Sequence, residues 1–170
     1  MRPLHEPTYR VRSFIAQILG VSFPLLITSG ATAYIISSWM LVFVRALGIT
    51  SYSPRIYWAC GLFGRTTGAA LFGGRIVRGL ALSVVIPLFY AAFFEVAGNA
   101  DLPIGALVGL VHALVIGISL PIVAARRGCS KAPTPGLFGW RLGATTPLVI
   151  VAVYALYGAA LGYVYVVVSA

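Results

Sequence analysis

Hydrophobic residues fall in long unbroken stretches separated by short basic or glycine-rich connections. From Ser13 to Val44 no charged residue occurs. At a rise of about 1.5 Å per residue the run exceeds a ~30 Å hydrocarbon core but is too short for two spans and a turn. It predicts one helix over about 21–44, with Phe14 to Gly20 along the interface and Pro24 and Thr28-Ser29-Gly30 as flex points. Further apolar runs predict spans over about 76–97, 103–125 and 147–168. Pro87 should kink the second. Between spans one and two, residues of about 54–72 mix Tyr57, Trp58 and Phe63 with Arg55 and Arg65, a pattern for a helix lying in the interface plane. Glycines at 61, 64, 68, 73 and 74 argue against a regular span there. The expected fold is all-α: a polytopic membrane bundle of four transmembrane helices in a single domain, plus that interfacial helix.

Within the third run, GALVGLVHALVIGISLP, small residues recur every fourth position at Gly105, Gly109, Ala113 and Gly117. On a helix this spacing clears one stripe of side chains and lets another backbone approach. Gly158 and Gly162 repeat the device in the last run.

Composition strengthens the assignment to lipid. Of 170 residues, 60% are hydrophobic and 9% charged, with mean hydropathy +0.99. Soluble domains carry about a quarter charged residues. The charge balance, twelve Lys and Arg against three acids, does not point to nucleic acid, because the basic residues lie between apolar runs without a binding motif. Arg45, Arg55, Arg65, Arg75 and Arg78 stand between spans one and two, and Arg126, Arg127, Lys131 and Arg141 between three and four. These residues are expected to meet anionic headgroups and to set topology, with the basic connections cytoplasmic in a bacterial inner membrane. Both termini would then lie outside, against the vote of Arg2, Arg10 and Arg12. A hairpin in the first run would put the N-terminus inside, but run length favours four spans.

Chemistry is sparse. His112, inside a span, is the leading candidate: a neutral imidazole bonded to a neighbouring helix, or an axial ligand for haem or pigment. Bis-histidine ligation would need His5 in the tail. Ser119, His112 and Asp101 cannot form a hydrolytic set, because eleven residues separate His112 from Asp101, roughly 16 Å on one helix. Glu95 and Asp101 read as helix ends. Cys60 and Cys129 form no C-x-x-C pair and read as two separate thiols. No catalysis is expected and no cofactor is required.

GALVGLVHALVIGISLP, the basic turn, PGLFGWRLGATTP, YGAALGYVY and, more weakly, ATAYIISSWMLVFVRALG together resemble small uncharacterised bacterial four-helix membrane proteins. Such proteins often carry a histidine before the Tyr-Gly of the last helix, where this chain has Val153 and Tyr154. The resemblance implies fold and no activity. The expected function is an accessory subunit of a larger membrane complex, such as an energy-transducing assembly, docking through glycine-rich faces. A small-molecule or lipid transporter and a haem- or pigment-binding subunit are the alternatives.

Overall fold

Four apolar helices run back and forth, and the last forms the centre. A computed structural model describes residues 23–125, 129 and 133–169, and these are mostly helical with no strand. The helices are α1 (Phe23–Ala46), α2 (Pro54–Phe63), α3 (Gly68–Ala97), α4 (Leu102–Ala124) and α5 (Thr146–Ser169), with a short 3₁₀ turn over Leu137–Leu142. All except α2 are long and apolar enough to cross a membrane. In α5, 56% of the apolar window is buried, against 33%, 28% and 22% in α1, α3 and α4. α5 packs against both α4 and α1, and its Ile150, Val153, Tyr157 and Leu161 are buried. The outward faces of the other three carry exposed Phe, Leu, Val and Ile, as a lipid-facing surface requires.

The glycine stripes meet each other. A Cβ on Gly105 would strike the Gly158 carbonyl and come within 3.3 Å of the Gly162 Cα; one on Gly109 would strike the Tyr154 carbonyl. Ala113 is buried on the same face. Gly117 instead makes room for the ring of Phe138 from the 3₁₀ turn.

Two expectations shift. The second span starts at Gly68 rather than near 76, and the interfacial segment ends at Phe63 rather than 72. Thr67 caps the longer helix, its hydroxyl accepting from Ala70 N–H. Gly73 and Gly74, read as helix breakers, are crossing points: a Cβ on Gly73 would lie 2.9 Å from the Phe63 ring, and one on Gly74 2.7 Å from Ala59 N. Gly30 likewise seats α1 against Ser83 and the Pro87 ring, and α1 runs unbroken past it. Phe14–Gly20 lies outside the described residues.

Pro87 acts through the preceding turn. Residues Ala81–Val85 form a π-helical stretch in which Ile86 N–H bonds the Ala81 carbonyl. In that i→i−5 register the next bond would run from residue 87 to Leu82, and proline has no N–H to give. The Tyr157 hydroxyl of α5 donates to the Leu82 carbonyl instead. A polar group freed inside the apolar bundle is thereby paired.

The cysteine expectation is corrected. Cys60 of α2 and Cys129 of the connection after α4, 69 positions apart in sequence, form a disulfide with Cα atoms 5.7 Å apart. The fold lays α2 beside α4 at one end of the bundle, a proximity that residue spacing cannot reveal.

Candidate functional site: an arginine-lined cavity

The alternation of helices puts residues 47–67, 125, 129 and 133–145 at one end of the bundle and 98–101 at the other. The first end is basic. The other holds Glu95 and Asp101, the only described acids. Asp101 caps α4 by accepting from Ile104 N–H at 2.8 Å.

At the basic end a cavity of about 190 Å³ opens between α1, the start of α2 and α3. Arg45, Arg55, Arg75 and Arg78 line it together with Tyr34, Ser38 and Ser53. Arg75 and Arg78 are three apart on α3 and so share a face. Thirty residues of helix span about 45 Å, more than the hydrocarbon thickness.

Arg78 is the unusual member. It is only 8% exposed, and its Nε has no hydrogen-bond partner. Its guanidinium lies 5.2 Å from the centre of the Tyr34 ring, a cation–π contact that steadies the charge without satisfying its donors. That ring packs on Gly79, where an added Cβ would meet it in ordinary contact at 3.7 Å.

Ser53 has the same character. It occupies the N-cap of α2, ahead of Pro54, yet its side chain makes no capping bond. Its Oγ is buried and unpaired, and so is the Oγ of Ser38 on α1. An N-cap serine normally accepts from N2 or N3; here the hydroxyl remains uncommitted within the cavity wall. The wall is anchored by the 49–52 connection. Thr50 and Thr146 hydroxyls pair at 2.7 Å, Ser51 Oγ donates to the Leu142 carbonyl at 2.8 Å, and Thr145 donates to the Ile49 carbonyl. Tyr52 stacks on Tyr57 with centroids 5.7 Å apart. Burial holds the Tyr57 phenol up at about 12 and that of Tyr52 well above its ordinary 10, so both stay neutral. Tyr57 donates to the Pro133 carbonyl at 3.2 Å.

Burying a cation and several hydroxyls without partners is unfavourable. A cavity with four guanidiniums, a helix N-terminus and no described carboxylate has the electrostatics of an anion site.

His112 lies elsewhere, among tyrosines. Its Nδ1 is 3.3 Å from the Tyr90 hydroxyl, and its ring is centred 4.6 Å from that of Tyr154 and 6.0 Å from that of Tyr157. The imidazole thus has a protein hydrogen-bond partner and lies against three tyrosine rings. No cluster of three His, Cys, Asp or Glu suited to a metal occurs among the described residues.

The remaining topological residues are dispersed. Arg65 and Arg141 are exposed away from the cavity, while Arg126, Arg127 and Lys131 lie outside the described residues. Sequence reasoning treated the arginines one by one and missed Tyr34, Ser38 and Ser53. The available signals were Arg75 and Arg78 on one helical face and a Ser-Pro helix start. Comparison with known proteins finds no matching family model, no similar curated protein and no similar solved structure.

Proposed function

We propose that this is a membrane-embedded binding protein that takes an anionic, phosphate-bearing ligand at its arginine-rich end. One observation carries this reading: Arg78 is buried with an unpaired Nε in a cavity that Arg45, Arg55 and Arg75 also line. A phosphate group supplies the acceptors and the charge that such a cluster lacks. Residence in a bacterial inner membrane belongs to the same proposal; the charge asymmetry favours a cytoplasmic arginine end, and the Cys60–Cys129 bridge at that end favours an exterior one.

Docking as an accessory subunit through glycine faces has no comparable support, since Gly105, Gly109, Gly158 and Gly162 are used where α4 meets α5. Haem or pigment binding at His112 has less support, because the imidazole already meets the Tyr90 hydroxyl and the Tyr154 ring.

A ligand that binds only the folded chain raises its stability by mass action. Purified protein should therefore melt at higher temperature in micelles doped with anionic lipid than with zwitterionic lipid, and Arg78→Gln should lose most of the difference. Equal melting in both mixtures would refute the proposal.

A further inference from the structure

We infer that the preferred group is a terminal phosphate, a phosphomonoester or the end of a diphosphate, rather than the phosphodiester of bulk phospholipid; this rests on the anion site proposed above. Three polar atoms in the cavity wall lack partners: Arg78 Nε, Ser38 Oγ and Ser53 Oγ. Each can donate one hydrogen bond. A phosphodiester or a carboxylate presents two terminal oxygens and a single negative charge. A terminal phosphate presents three oxygens and a charge of about −1.5 to −2 at neutral pH. A wall that holds these three unpaired donors beside four guanidiniums suits the more highly charged group with three acceptors better than a diester. Arg45, Arg55 and Arg75 add fork-shaped donors around the same space, and neither Glu95 nor Asp101 lies at this end to offset them.

The other walls indicate what the phosphate is attached to. Leu41, Val42 and Pro54 line the cavity beside the arginines. Val42 is 57% exposed on the outward side of α1, next to exposed Phe43 and Trp39. An apolar chain leaving the phosphate can continue along that face into lipid. The chemical class is a membrane amphiphile with a terminal phosphate, such as a phosphatidic acid or a polyprenyl phosphate.

The test uses the full chain in detergent micelles with phosphatidic acid, phosphatidylglycerol or phosphatidylcholine, and bound lipid counted by native mass spectrometry. Phosphatidic acid should be retained over phosphatidylglycerol by roughly tenfold or more at pH 7.5, the size of one extra charge-assisted hydrogen bond. The preference should shrink at pH 5.5, below the second phosphate ionisation near about 6. Arg78→Lys and Ser53→Ala should each reduce it; Ser53→Ala removes one hydroxyl and keeps the readout valid if the arginine variant folds poorly. Inorganic phosphate alone supplies the second arm. If it competes with phosphatidic acid at equal concentration, the terminal-phosphate inference stands with a free anion as the source; if it does not, the lipid is the source. Equal retention of phosphatidic acid and phosphatidylglycerol, both above phosphatidylcholine, overturns the terminal phosphate but leaves the anion site. Equal retention of all three lipids overturns both.

Discussion

Placing a methyl group where α4 and α5 cross tests the packing most directly. A Cβ on Gly105 would lie 2.9 Å from the Gly158 carbonyl carbon, and one on Gly158 would lie 3.0 Å from that of Gly105. Favourable carbon–carbon separations are about 3.5–4.0 Å. The obstacle in each case is backbone, so no rotamer change relieves it and the helices must part by roughly 0.5–1 Å. A gap of that size forfeits about a quarter to a half of the attraction in each facing contact. Overpacking of this kind costs about 1–3 kcal/mol, and in lipid no bulk hydrophobic force between helices offsets it. Gly105→Ala and Gly158→Ala should each destabilise by that amount. Together they should cost less than the sum, because one separation accommodates both methyls. Gly68→Ala, with nothing within 4 Å of the added Cβ, is the control and should change little. The measurement is equilibrium unfolding in mixed dodecylmaltoside and dodecylsulfate micelles followed by circular dichroism. Losses equal to the control at Gly105 and Gly158, or strict additivity of the pair, would refute the close backbone approach.

Other predictions concern the buried polar groups. Tyr157→Phe leaves the Leu82 carbonyl unpaired and should cost about 1–3 kcal/mol by the same unfolding assay; adding Pro87→Ala restores an N–H and should recover part of the loss, whereas strict additivity would refute the pairing. Wild-type protein should run differently on non-reducing and reducing gels, and Cys60→Ser should abolish the difference; identical wild-type mobility would refute the disulfide. The phenol of Tyr57 is held up at about 12 by burial, above its ordinary 10. Its stabilising contribution is therefore complete below pH 10 and is lost as pH rises through 12. Tyr57→Phe should flatten that alkaline limb in a pH series of melting curves, and an unchanged limb would count against it.

The spans were legible because lipid makes simple demands: uncharged runs of the right length must be helices, whatever their packing. The stripe from Gly105 to Gly117 was readable as a close-approach face, but its partner was not, because periodicity specifies a face and never what meets it. Gly73 and Gly74 show the opposite difficulty. Low helix propensity is a local property, and the contact with α2 that rewards a missing side chain is tertiary. The arginine cavity was half visible. Its charges are plain in the sequence, yet only the fold brings Arg45 of α1, Arg55 of α2 and Arg78 of α3 around one space and leaves Ser53 Oγ without a partner. His112 invited attention as a lone histidine in a span, and its tyrosine neighbours come from α3 and α5, out of reach of any spacing argument.

The cystine that ties Cys60 to Cys129 lies at the arginine-rich pole of the molecule. Two general tendencies compete there: positive loops are retained in the cytosol, while cysteine bridges persist where the surroundings oxidise. That bridge is consequently a compass for the whole chain. Found closed in freshly isolated cells, it turns the cationic pole, and the phosphate cavity with it, toward the exterior; found open, it points both inward, and the cavity then draws on molecules made inside the cell.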